Sequence, residues 1–331
     1  MTQVPVIDIS GFASGDAATR AAIAKKVDDT FRQIGFLTLT GHGVPTDAIG
    51  DAFAKAHEFF RLPEAEKAKY APPALDIFRG FNSSATQRSG SSHNKGLPPD
   101  LRENYMMSRI DVEDPYFRRP EFGNTYAPNH WPATPAGYRE AWERFYREMN
   151  GLADRFMHIC ATALGLEETW FDDKTDKSSS TCVANHYPSQ PDAPLPGQLR
   201  AGAHSDVGSI TLLLQERAMG GLQVLGKDEE WHDVVTPRDA VIVNVGDLLA
   251  QWTNDRWVST KHRVVNPPRE YASTDRMSLS FFQHPNYDAM VECVPTCTGP
   301  GNPPKYEPIW AGTHMHRRMM RAREWKKVDA A

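Results

Sequence analysis

Cysteine is scarce in this 331-residue chain, and the scarcity excludes whole classes of protein. The four cysteines are Cys160, Cys182, Cys293 and Cys297. Only the last two are close in sequence, so a disulfide framework is not expected, and a structural zinc site would lack its second pair of ligands. Long apolar runs are also missing: nothing approaches the roughly eighteen residues that would span a bilayer. The opening MTQVPVIDISGF has no basic stretch followed by an apolar core, so a secretory signal is not expected and the cytoplasm is the expected location. Excess positive charge is absent too. The formal net charge is −5, which favours neither a nucleic-acid partner nor a membrane surface. There is no internal repeat. What remains is 40% hydrophobic and 24% charged, an ordinary globular composition long enough for one large domain or two modest ones.

Helical patterns come first. The spacing predicts a strand near residues 4–9, a helix over 19–33, a strand over 36–40 and a helix over 47–60 capped by Thr46. A short charged helix follows over 63–70. Periodicity then dissolves over 71–95, where serines and Gly80 and Gly90 crowd together, as in a lid, a binding loop or a disordered segment. A strand is expected over 101–109 and an irregular connection over 115–135. Tyr138, Trp142, Phe145, Met149, Leu152, Phe156 and Ile159 then recur at alternating gaps of four and three. This is an amphipathic helix with a stripe to bury. From about residue 178 the chain turns to short strands: 181–187, 201–205, 210–215, 222–225, 231–234, 240–245, 248–252, 262–265, 277–284 and 290–294. The tail, 314–323, is basic and helical in pattern. Helices first and strands later give an α+β class with a sandwich or jelly-roll core. The expected division is an N-terminal region 1–115, a connecting segment and packing helix 116–176, a core 177–295 and a tail 296–331 placed to act as a lid.

The segment Ala203 to Gln215, AHSDVGSITLLLQ, carries the chemistry. His204 and Asp206 stand two apart, and on an extended strand such residues point to one side. A histidine and a carboxylate converging on one point are two thirds of the facial triad that holds non-haem Fe(II) with positions left open. The pair alone is weak, since chance gives roughly one or two His-x-acid pairs in such a composition. A second histidine on a distant strand is needed. His262 is the preferred candidate, with His232 and His284 as rivals. On the strand RMSLSFFQH, Arg276, Ser278, Ser280 and Phe282 share one side and Met277, Leu279 and Phe281 the other. If the first side faces a cavity, the guanidinium needs an anion. Either a ligand carboxylate, gripped by two parallel hydrogen bonds with Ser278 adding a third, or a protein Asp or Glu would serve. Asn185 and Tyr187, again two apart, could add an amide and a phenol to such a site.

In order along the chain, Asn185-x-Tyr187-Pro, His204-x-Asp206, a distant His262 and Arg276-x-Ser278 resemble the 2-oxoglutarate- and Fe(II)-dependent dioxygenases of the isopenicillin N synthase-like type. So do VPVIDIS, GFLTLTGHGVP, PPDLRENY, NHWP, VNVGDLLAQWTNDRWVSTKHRV and YEPIWAG. The resemblance covers nearly the whole chain. It implies a double-stranded β-helix (jelly roll) flanked by helices, with Fe(II) held by His204, Asp206 and His262. It implies 2-oxoglutarate as co-substrate, its far carboxylate at Arg276 and Ser278 with Tyr187 and Asn185 nearby, and O₂ as oxidant. The expected reaction couples oxidative decarboxylation of 2-oxoglutarate to succinate and CO₂ with hydroxylation, or another oxidation, of a small organic molecule. In some relatives the substrate's own carboxylate takes the Arg-x-Ser site and 2-oxoglutarate is not used, which is the alternative here. By position in the family, Phe282, Arg79 and Phe81 are candidates for the substrate pocket. Gly41 and His186 depart from the family's usual Asn and Tyr, departures that bear on substrate preference.

Overall fold

The computed structural model describes residues 4–74, 76–84, 89, 98–216, 221–237 and 239–328, with backbone only over 321–328. Gly90, Ser91, Ser92 and Lys95 of the serine-rich stretch lie outside the described residues. The first part of the chain forms β1 (Val6–Asp8), α1 (Ser10–Ser14), α2 (Ala17–Gln33), β2 (Phe36–Thr40), α3 (Thr46–Phe60), α4 (Glu64–Ala68), β3 (Gly80–Asn82) and β4 (Glu103–Ser108). Next come the long α5 (Tyr138–Ala163) and the short α6 (Asp172–Thr175). The strand-rich part contains β5 (Thr181–Tyr187), β6 (Ala201–His204), β7 (Ile210–Gln215), β8 (Leu222–Leu225), β9 (Trp231–Asp233), β10 (Val241–Val245), α7 (Asp247–Trp252), β11 (His262–Val264) and β12 (Arg276–Gln283). A small hairpin of β13 (Met290–Val291) and β14 (Ile309–Trp310) leads into α8 (Ala311–Val328).

Two sheets face each other. The larger has the order β1-β2-β10-β7-β12-β5-β4-β3 and the smaller β6-β11-β8-β9. From β5 to β12 the chain passes repeatedly between them, which is the expected jelly roll. Side-chain alternation sorts the larger sheet into two faces. Met277, Leu279 and Phe281 of β12, Ile210, Leu212 and Leu214 of β7, and Val241, Val243 and Val245 of β10 all join the main apolar core beneath the helices. The stripe of α5 belongs to that core: Trp142, Phe145, Met149, Leu152 and Phe156 are all fully buried. The opposite face of the sheet looks toward β6, β11 and β8 across a smaller apolar cluster that includes Phe36, Tyr187, Val224 and Val264. The polar members of that inner face build the site.

Several expectations need correction. Residues 248–252 are not a strand but α7. Leu248, Leu249 and Trp252 are buried together at helical spacing. The chain is turned there by Gly246, whose added Cβ would lie 2.2 Å from the Gly208 carbonyl oxygen. Thr46 is the first residue of α3 and not its cap, because Pro45 holds the extended cap position. The stretch read as a loop contains β3, which pairs with β4. Gly41 and His186 do not touch the site. Gly41 has φ +63° and a Cβ there would meet the Asp8 carboxylate at 2.3 Å. His186 lies on the helix side of β5, 2.8 Å from Glu103 and stacked on Phe60.

One ion cluster ties the helical layer to the loop after α7. Asp28 of α2 accepts hydrogen bonds from Arg256 Nε and Nη2 at 3.0 and 2.9 Å and from Trp257 Nε1 at 2.8 Å. Burial alone would raise its carboxyl, but the hydrogen bonds from Arg256, Arg32 and Trp257 outweigh burial and hold it below the ordinary value. A carboxylate depressed on folding adds stability above its unfolded pKa and loses it as pH falls through the folded one. Asp28→Asn should therefore lower unfolding free energy by about 2–4 kcal/mol at pH 7. Urea melts should show the gap to wild type closing below about pH 4. A gap that is constant down to pH 3 would contradict this role.

Candidate active site

β6 and β11 are antiparallel neighbours, with His204 directly opposite His262. Their rings lie 4.4 Å apart. Asp206 falls in the bend just after β6, so only His204 of the pair is on the strand. The bend still returns the carboxylate to the same point. Asp206 Oδ1 is 3.8 Å from His204 Nε2 and 3.7 Å from His262 Nε2. One ligand atom from each of the three lies within 4.8 Å of the others, the only such group of three or more among the described residues. His232 instead pairs with Asp228 in the β8–β9 hairpin, and His284 stands outside the triad.

The surroundings prepare these atoms for a cation. His204 Nδ1 is 2.8 Å from the Gly202 carbonyl and His262 Nδ1 is 3.2 Å from that of Thr260. Carbonyls can only accept, so each Nδ1 carries the proton and each Nε2 presents its lone pair, the usual outer support of a metal-bound histidine. Burial, with the facing His262, pushes the His204 imidazole down to about 4, so it is neutral at physiological pH. Burial would raise the Asp206 carboxyl, but the two imidazoles and hydrogen bonds from Thr211 Oγ1 and Asn244 Nδ2 keep it lowered and ionised. Those two bonds, at 2.5 and 2.8 Å, both end on Oδ2 and leave Oδ1 to the triad. Two imidazoles and one carboxylate fit Fe(II), and all three come from one side.

Arg276 lines the same cavity as the triad, together with Ser278, Tyr187 and Asn185. It is 2% exposed. Its Nη2 donates to Gln215 Oε1 at 2.8 Å, while Nε and Nη1 have no partner. Among the described residues no carboxylate pairs with it, so the protein-partner explanation of this arginine fails. The guanidinium sits over the Tyr187 ring at 4.9 Å. Strand register explains the grouping: Arg276 is opposite Tyr187, and Ser278 lies between Asn185 and Gln215. The arrangement could grip a carboxylate with two guanidinium N–H groups and a hydroxyl while the acid's other end reaches the triad.

The substrate-side candidates separate. Phe282 lines this cavity, and Arg79 lines a neighbouring one. Phe81 lines neither: it is buried against Phe59 and Phe60 in the N-terminal core. The sequence reading missed Thr211, Gln215 and Asn244. Their signal was present, since Thr211 and Gln215 occupy the inner-face positions of β7 and Asn244 is the lone polar residue in VIVNV.

Comparison with known proteins identifies the family. Residues 4–134 match the family described as non-haem dioxygenase in morphine synthesis N-terminal, and residues 178–285 match the 2OG-Fe(II) oxygenase superfamily. The chain is 34% identical to the 2-oxoglutarate-Fe(II) type oxidoreductase hxnY of Emericella nidulans, over 93% of this chain and 87% of that protein. It is 30% identical to validamycin A dioxygenase of Streptomyces hygroscopicus subsp. limoneus, over 91% and 82%. A full-length Neurospora crassa protein, solved in complex with alpha-KG and thymine, superposes with a TM-score of 0.84 at 30% identity, covering 96% of both chains. The chain thus belongs to the 2OG-Fe(II) oxygenase superfamily and is an oxidoreductase that uses Fe(II), 2-oxoglutarate and O₂ to hydroxylate or otherwise oxidise a small organic molecule, giving succinate and CO₂.

Proposed function

We propose that His204, Asp206 and His262 hold the iron and that Arg276 and Ser278, with Tyr187 and Asn185, hold the far carboxylate of 2-oxoglutarate. The observation that carries this reading is the buried, acid-free guanidinium of Arg276 on the same cavity as the triad. Bound iron supplies the oxygen chemistry, which belongs to the cofactor. The chain supplies orientation. Gln215 and Tyr187 fix the arginine, Thr211 and Asn244 fix the aspartate, and the two β-sheets exclude water. The alternative, in which the substrate's own carboxylate takes Arg276, is not favoured by relatives that bind alpha-KG.

Phe282, on the inner face, would contact the substrate, with Arg79 on the adjoining wall. The isopenicillin N synthase-like subtype, the four-part division at 115, 176 and 295 and a cytoplasmic location belong to the same proposal. All four cysteines are free, which suits a reducing compartment. No described helix is long and apolar enough to cross a membrane. The test is succinate release from 2-oxoglutarate under O₂ with added Fe(II). Wild-type protein should release succinate slowly alone and faster with an accepted small molecule. Iron-loaded protein that never forms succinate, with or without such molecules, would contradict the proposal.

A further inference from the structure

A second cavity, of about 250 Å³, lies further along the inner face of the large sheet. It is lined by Ser108, Thr181 and His284 from the sheet side, by Met315 and Met319 of α8, and by Arg79. It shares no lining residue with the iron site, and the end of β12 runs from one to the other. Phe282 lines the first cavity and His284 the second, with their rings nearly parallel and 6.3 Å apart. His284 also presses on the loop that carries Asp206: a Cβ on Gly208 would fall 2.4 Å from its Nδ1. The size is just below the roughly 300–1,000 Å³ of most small-molecule pockets, so it suits one substituted ring and no polymer.

Two buried polar groups on this cavity have unspent capacity. Arg79 is 3% exposed. Its Nη1 and Nη2 donate to the backbone carbonyls of Asn124 and Thr125, and its Nε has no partner. The nearby acids are engaged elsewhere, Asp76 with Asn124 and Glu121 with Arg119. Burial lowers the guanidinium to about 10, which still leaves it cationic at neutral pH. Carbonyl dipoles carry only partial charge, and a buried cation normally has an anion. His284 is 6% exposed, and its buried Nδ1 has no hydrogen-bond partner. Burial pushes its imidazole down to about 4, so it is neutral; Nδ1 faces the Gly208 loop, which leaves Nε2 to meet a ligand. Phe122 and Tyr287, with centroids 4.7 Å apart and planes tilted by 37°, supply aromatic surface.

We infer that the primary substrate is a small planar molecule bearing one carboxylate, seated in this chamber with the carboxylate toward Arg79 and a ring substituent hydrogen-bonded to His284. Arg79 neutralises the ligand's charge and His284 sets which edge of the ring faces the triad. The inference rests on the iron and 2-oxoglutarate sites proposed above.

The experiment uses anaerobic protein saturated with Fe(II) and 2-oxoglutarate, whose charge-transfer absorption reports an intact iron–keto-acid site. Benzoate is titrated as probe, with benzamide as its neutral counterpart. In wild type, benzoate should perturb the band without abolishing it and bind at least about tenfold more tightly than benzamide. Arg79→Gln should erase that preference, and His284→Leu should weaken both ligands while keeping it. Equal binding of the two, no benzoate binding, a preference that survives Arg79→Gln, or benzoate that bleaches the band by displacing 2-oxoglutarate would each overturn the inference. Failure of the earlier reading looks different: no band forms in wild type before any probe is added. If Arg79→Gln shows no band and so fails to fold, the wild-type ratio and His284→Leu decide.

Discussion

Asp206→Ala protein should be purified without iron and should release succinate at least about a thousandfold more slowly than wild type, because the metal carries the reaction. The carboxylate is the only anionic ligand among three facing donors. Without it two neutral imidazoles would share the ion with water. The fold should survive, since the Asp206 side chain bonds to Thr211 and Asn244 on the inner face of the sheet and not to the helical layer. A milder change sharpens the test. Asn244→Ala removes one of the two hydrogen bonds to Asp206 Oδ2 and should cost about 10- to 100-fold in iron affinity. Metal analysis after dialysis against a graded chelator reads both effects. Asp206→Ala protein that retains one equivalent of iron would refute the assignment.

The second large effect concerns Arg276. Arg276→Leu should keep its iron but lose affinity for 2-oxoglutarate. Stranding a desolvated carboxylate costs about 3–5 kcal/mol, a factor of roughly 10² to 5 × 10³ in Kd. Arg276→Lys keeps the charge and loses the two-pronged geometry, so it should fall between wild type and leucine. Stability should move the other way. In ligand-free protein the guanidinium is buried with Nε and Nη1 unsatisfied, a cost that leucine removes. Ligand-free Arg276→Leu should therefore be as stable as wild type or more so. Added 2-oxoglutarate should raise the melting temperature of wild type alone, since only a state that binds ligand is stabilised by it. Equal stabilisation of both proteins by 2-oxoglutarate would place the carboxylate elsewhere.

Much of this was legible in the sequence, for identifiable reasons. The two-residue alternation of RMSLSFFQ fixed which side of β12 faced the cavity, because apolar Met277, Leu279 and Phe281 could only go to the core. The stripe of α5 was equally unambiguous. His262 was singled out over His232 and His284, and strand pairing placed it opposite His204. Other features depended on contacts distant in sequence. The turn at Gly246 is imposed by Gly208, 38 residues earlier, and it converts an apolar run that reads as strand into α7. Phe81 follows Arg79 by two positions, a spacing that would put both on one side of a strand, but Arg79 precedes β3 and lines a cavity while Phe81 packs into the N-terminal core. Alternation put Asn185 and Tyr187 on one face of β5, and both line the cavity, whereas Gln215 and Asn244 looked like ordinary polar residues until the sheets met.

Crystals grown anaerobically with Fe(II) and 2-oxoglutarate, with diffraction collected on both sides of the iron absorption edge, probe the central arrangement most directly. The account predicts one iron peak between His204 Nε2, Asp206 Oδ1 and His262 Nε2, with the keto acid running from it to the Arg276 guanidinium. An iron peak away from these three atoms, or a keto acid whose far carboxylate avoids Arg276, would contradict it.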